Sequence, residues 1–479
     1  MGRGFATRSL TTAGVLAAVT IAASAGCTSG ATSSARAAGH PATSAGTAPP
    51  AGAAPPSLSE RGLAAPGCSS ATARVAPLHA VGTTSVKTSG SPFGVVAAPD
   101  GRWAFAVTGG GPGPAAASVE VLRLSTGTGT TAAPRVTEVR SVPLTATSGP
   151  ARLPAGAGTP AGAAITPDGK YLVVAQGSGV TVLSTARVET GTAGAVLGSL
   201  SAPTSAGRPG GALGGAIEVA VSPDSRFVVV TLEGEAEAAV FNLAAALAHG
   251  FGAADYVGAI PLGQAPVGMA VSPDGRWLYA TSEGAAPGQH PVGLANASSN
   301  GCGARVPGTA LNEPPGTLTV VDLRRAETDP ARAVTAVVQA GYQPVRVVTA
   351  ASGTQVWVTA RASDAVLCFS AARLAADPKQ ALVAVVRVGS EPVGLASVRG
   401  GALIAVADSN RFTASGASSS LSVVNVAAAL AGHPAVVGDL ATGQFPRDMA
   451  VSPDGTLLVS DYASGQVQAI ATVGLPASG

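Results

Sequence analysis

The sequence predicts an all-β protein: a seven-bladed β-propeller of four-stranded antiparallel blades, closed by an N-terminal strand in the last blade. Three observations predict it. The phrase MAVSPDG stands at Met269–Gly275 and again at Met449–Gly455, 180 residues later. A longer version of the phrase occurs seven times, with its turn at Pro99, Pro167, Pro223, Pro273, Ala351, Arg399 and Pro453, in steps of 48 to 78 residues. Each copy is followed by a third apolar run, and most by a fourth. A period near 50 residues built from short strands and turns is the sequence signature of propeller blades.

Within a copy such as GMAVSPDGRWLYAT (from Gly268), two apolar, β-branched-rich runs flank Ser-Pro-Asp-Gly. Proline presets φ for the second position of a type I turn, and glycine takes the position where φ must be positive. The third strands are read as ASVEVLRLS, GVTVLSTA, AAVFNLAAAL, TLTVVDLRRA, AVLCFSAARL, LSVVNVAAAL and QVQAIATV. Fourth strands include DYVGAIPLG, AVTAVVQAG, ALVAVVRVG and AVVGDLATG. The apolar runs are nearly continuous, as expected for strands covered on both faces by neighbouring blades. The seventh copy has only three strands, and Val81–Gly90 reads as the missing fourth.

The pattern P-x-G-x-A-x-S-P-D-G, followed by an apolar VVDL-type strand and then x-V-G, resembles the YVTN family of β-propeller repeats. It is also similar to seven-bladed lactonase-type propellers that share this repeat style. The resemblance runs from about residue 75 to the end and implies the fold. One departure is consistent: the Asn that often ends the second strand is replaced by Thr, Gly, Glu or Asp. The repeated phrase is therefore architecture, and chemistry is sought where the copies differ.

Residues 1–27 read as an export signal. Arg3 and Arg8 precede the apolar, small-residue stretch Leu10–Gly26, which is too short for a confident membrane span. SAGC, ending in Cys27, resembles a bacterial lipoprotein signal, although Ser24 stands where Leu is usual. Lipidation of Cys27 would place the chain in the cell envelope, on the outer face of the cytoplasmic membrane; plain secretion is the alternative. Residues 28–72 hold Ala, Ser, Thr, Gly and Pro with few large apolar side chains, so they read as a disordered tether. Residues 73–479 form the propeller, expected to be a monomer that meets the membrane through its lipid alone.

Composition narrows the functions. Aromatics are 4% and charged residues 11%, with a net charge of +2 and no Lys/Arg cluster interleaved with aromatics, so no nucleic-acid partner is expected. The five histidines lack metal-ligand spacing, and neither metal nor cofactor is expected. His249 and His433 read as solvated turn residues, and Cys368 as a buried thiol within a strand. Cys68 and Cys302 both lie in Gly/Pro/Ser-rich loops and are expected to form a disulfide.

Topology places the start of each first strand and the link from second to third strand on one face, with the PDG turns on the other. At the start of the first strands, here called the mouth positions, stand Gly94, Gly162, Glu218, Gly268, Arg346, Gly394 and Asp448, with Arg447 beside the last. The links on the same face add Glu233, Glu283, Arg361, Asp408, Asn410, Asp461 and Tyr462, and the blade-four insert (Ser282–Gly316) is read as a lid. Glu218, Arg346, Arg447, Asp448, Glu233, Glu283, Arg361, Asp408 and Asp461 are the candidate ligand-binding residues. The leading reading is a scaffold that binds a protein or a small polar ligand. The alternative is a lactonase-type hydrolase with a carboxylate/Arg site at the mouth. A redox propeller ranks below both. Replacing Arg346 and Arg447 by Ala is expected to abolish binding and leave stability nearly unchanged.

Overall fold

A computed structural model describes residues 75–109, 117–125, 133–144, 159–203, 215–293, 314–411 and 419–476. Cys27, Cys68, Cys302, the signal, the tether and most of the blade-four insert lie outside the described residues. Seven four-stranded antiparallel sheets form; six are ordered along the chain from innermost to outermost strand, and the seventh takes its outermost strand from the N-terminal side of the propeller. The innermost strands are Ser91–Ala97, Ala163–Ile165, Ala216–Val221, Gln264–Val271, Pro344–Thr349, Pro392–Val398 and Pro446–Val451. The protein is a seven-bladed β-propeller.

The last blade is closed as expected. Thr83–Lys87 pairs antiparallel with Gln466–Ala471, in register from Thr83 opposite Ile470 to Lys87 opposite Gln466. The core lies between blades. One cluster joins Val173 and Val182 of blade 2 to Val228, Val230 and Phe241 of blade 3. Another joins Val95, Ala104 and Ala106 of blade 1 to Leu458, Val467 and Ala469 of blade 7.

The PDG phrase does two structural jobs. Ser222 Oγ donates to Asp224 at 2.6 Å, and the same carboxylate accepts from Arg226 N at 3.1 Å. Ser272 and Asp274 repeat this, and Thr166 and Asp168 do so with Thr in place of Ser. Gly275 donates to Ser272 O at 2.8 Å with φ at 69°, closing the turn. Four of the turn glycines also lie against the preceding blade's proline. A Cβ on Gly275 would sit 2.6 Å from Pro223 Cγ, while Gly101, Gly169 and Gly353 face Pro453, Pro99 and Pro273.

The third strands are shorter than the sequence suggested. In five blades a short helix follows the strand: Thr185–Thr190 after Ser184, without a side-chain cap, and Leu243–His249, Leu323–Ala326, Ala371–Ala376 and Val426–Leu430 after the stop residues Asn242, Asp322, Ser370 and Asn425. Each stop residue caps its helix by accepting a backbone N–H three residues on. Alanine then favours the helix where a β-branched residue would have prolonged the strand. His249 and His433 are exposed around these helix ends. Cys368 is fully buried, and burial pushes its thiol pKa up.

Candidate functional site

Four residues at the entry to the innermost strands hold an uncommon backbone conformation. Ala265, Gln343, Glu391 and Phe445 have φ between 49° and 53°, each just before a proline. The next turn of chain then carries a register irregularity at the mouth position in every blade except the second. A bulge re-aims the side chain of the residue it carries.

At four mouth positions the N–H of the bulged residue is received by a buried hydroxyl on the second strand. Thr231, Thr281, Thr359 and Ser460 accept from Glu218, Gly268, Arg346 and Asp448 at 2.9–3.0 Å. Thr281, Thr359 and Ser460 then donate across the blade boundary, to the carbonyls of Val345, Val393 and Phe93. Glycine at mouth positions has a matching cause. A Cβ on Gly268 would lie 2.2 Å from Val345 O, and one on Gly162 2.5 Å from Ile217 O.

The three charged mouth positions meet. Arg346 Nη1 lies 2.9 Å from Glu218 Oε2, and its Nε 3.3 Å from Asp448 Oδ1. Arg346 Nη1 also donates to Val267 O at 3.1 Å, and Asp448 Oδ2 accepts from Val95 N at 3.0 Å. The Arg346 side chain is 8% exposed, and those of Glu218 and Asp448 are 13% and 16% exposed. Burial pushes the Glu218 pKa above the usual carboxylate range; Arg346 opposes the shift and Asp448 adds to it. The expectation that Arg346 can be removed without loss of stability is overturned, because it is the counter-charge of two buried carboxylates.

Arg447 is held differently. Its guanidinium carbon lies 3.5 Å from the Phe93 ring centroid, 5.3 Å from that of Phe445 and 5.5 Å from that of Tyr462. Burial, followed by the nearby Arg346 and Arg411, lowers its pKa to about 9. Phe93 and Phe445 were not singled out from the sequence. The available signal was an aromatic beside a mouth position in a chain with few aromatics.

The remaining candidates do not join this group. Arg361 Nη2 pairs with Glu283 at 2.9 Å and donates to Gln343 Oε1 at 3.0 Å, between blades 4 and 5. Glu233 is exposed. Asp408 and Asp461 are buried at the ends of second strands. Asp408 Oδ2 accepts from Ser420 and Ser422, and Asp461 Oδ2 from Gly443 N and Gln466. These carboxylates tie strands of their own blades together. The described start of the blade-four insert runs outward: Val292 bridges Val338 of the outermost strand, away from the channel. The rest of the proposed lid lies outside the described residues.

Burial raises the pKa of Asp408 to about 7, against hydrogen bonds from Ser422 and Ser420 that lower it. Its Oδ1 has no hydrogen-bond partner. The folded state therefore keeps a proton that the unfolded chain releases near pH 4, and this group's contribution to stability declines as pH rises from about 4 to 7. Asp408→Asn should flatten that decline. It should be more stable than the parent at pH 8, by at most about 4 kcal/mol, and differ less at pH 5. Parallel melting profiles at the two pH values would refute this.

No family model matches the sequence, and no curated protein matches it. Solved structures do. Hydrazine synthase of Kuenenia stuttgartiensis matches with a TM-score of 0.51 and 16% identity over 80% of this chain and 96% of that one. The periplasmic gluconolactonase of Pseudomonas aeruginosa matches with a TM-score of 0.51 and 19% identity over 78% and 88%. The likeness is one of fold alone.

Proposed function

We propose that this chain is a membrane-tethered binding propeller working outside the cytoplasm, with the channel mouth as its recognition face. The observation that carries the reading is the use of charge. Three of the seven mouth positions hold charged residues that converge on one buried cluster, and a fourth charge, Arg447, stands beside it. The PDG face, in contrast, repeats a turn whose residues are explained by backbone geometry. The signal-like N-terminus ending at Cys27 supports an envelope location.

A photo-crosslinking side chain at Glu233, on the mouth face, and another at Arg102, on the PDG face, test the reading in intact cells. Adducts should form from position 233 and not from 102. Equal labelling, or labelling from 102 alone, would place recognition elsewhere.

A second reading, a lactonase-type hydrolase, is favoured by one observation. Glu218 is a carboxyl of raised pKa beside the cationic Arg346, which is the pairing of a base with an oxyanion stabiliser. The fold likeness to a gluconolactonase points the same way. Lactone hydrolysis above the uncatalysed rate, lost in Glu218→Gln, would decide for it.

A further inference from the structure

One cation at the mouth, Arg447, has no direct ion-pair partner among the described residues. Among the described residues Arg447 makes no ion pair and no hydrogen bond, and its Nε is buried without a partner. Asp448, the adjacent carboxylate, is occupied by Arg346 and Val95 N. What holds Arg447 is aromatic: Phe93 and Tyr462 meet edge-on at 6.4 Å and 88°, and Phe445 and Tyr462 at 5.4 Å and 61°. Ring contacts satisfy the faces of a guanidinium and leave its in-plane N–H donors open. A second cation, Arg411, lies 5.3 Å from the Phe445 ring centroid. Beside the rings is an apolar cluster of Val267, Val345 and Val393, joined by Ile217 and Phe445.

We propose that this mouth holds a site for a small organic carboxylate with an apolar body, its carboxylate gripped by the Arg447 guanidinium and its body lying against Phe445 and the valine cluster. The inference rests on the mouth being the recognition face and names the chemistry it recognises. A planar carboxylate matches the guanidinium fork through two charge-assisted hydrogen bonds. A phosphate dianion fits worse, because it would bring a second charge toward Glu218 and Asp448 and lose hydration against valine. A polyhydroxylated acid fits worse too, since its hydroxyls would face an apolar wall.

The test titrates benzoate, gluconate and inorganic phosphate into the full propeller by calorimetry. Benzoate should bind saturably, at least tenfold more tightly than the other two. Arg447→Gln should weaken it at least tenfold, and Arg447→Lys by an intermediate factor. Phenylglyoxal labelling of Arg447 in the unaltered protein, read by mass spectrometry, avoids dependence on any variant folding; benzoate should protect the residue and phosphate should not. The proposal is overturned by absence of saturable benzoate binding, by equal binding in Arg447→Gln, or by phosphate binding as tightly as benzoate. If crosslinking is confined to position 233 while benzoate does not bind, the carboxylate site fails and the mouth as recognition face stands.

Discussion

A chain beginning at Ser91 should fail to reach a stable native state, whereas one beginning at Val75 should fold cooperatively. The sixteen residues that distinguish them close the ring. Thr83–Lys87 covers the edge of Gln466–Ala471, and Val86 joins the cluster of Leu458 and Val467 that binds blade 7 to blade 1. Ahead of that strand, Leu78 N donates to Asp439 O at 2.7 Å, and the Leu78 side chain covers Gly438, where a Cβ would lie 2.5 Å from Leu78 Cδ2. The same seat recurs at other blade boundaries, with Phe251 over Gly198 and Pro330 over Gly258. There the covering residue comes from the linker before the next blade's fourth strand. At the seventh blade that linker does not exist, and the N-terminal segment supplies Leu78 instead. Removing it opens an apolar strand edge, which invites pairing with other chains. The loss should be about 5 kcal/mol or more, comparable to the whole stability of an ordinary domain. Scanning calorimetry and size-exclusion chromatography of the two chains check this. Melting temperatures within two degrees of each other, both monomeric, would show that the ring does not need its closing segment.

The ring was legible in the sequence because repetition made it so. Seven copies of one phrase report the blade number, and the missing fourth strand of the last copy points to Val81–Gly90. The shortened third strands were not read, although Asn242, Asp322, Ser370 and Asn425 each precede Ala- or Arg-rich residues in the manner of an N-cap. An apolar run of Val, Phe and Ala looks alike in strand and helix until its cap is noticed. The mouth positions were legible as a ring of differing residues, because one topological rule places them all on one face. What they do to each other was not. Whether Glu218, Arg346 and Asp448 sit as separate solvated charges or as one buried cluster depends on distances across the channel, between residues up to 230 apart in the chain. Asp408 and Asp461 resembled mouth residues by position, yet the direction of the side chain at a strand end turns them into the blade.

Arg346→Ala should cost about 3–5 kcal/mol, the range seen when one partner of a buried ion pair is removed. The guanidinium faces Glu218 at 2.9 Å and Asp448 at 3.3 Å, and it also donates to Val267 O across a blade boundary. Its removal leaves two carboxylates in a site already dry enough to raise the Glu218 pKa. Two consequences separate this cause from a simple loss of packing. Adding Glu218→Gln to Arg346→Ala should recover part of the loss, because a neutral amide is cheaper to bury than a stranded carboxylate. The deficit should also shrink on acidification. Without Arg346 the folded-state pKa of Glu218 rises further above its unfolded value, so the folded chain binds more protons and gains stability as pH falls toward 5. Urea unfolding of the three proteins at pH 5 and pH 8 measures both effects. A deficit equal at the two pH values, and not relieved by Glu218→Gln, would mean that Arg346 acts through its carbon chain and its bond to Val267 rather than as the counter-charge of the cluster.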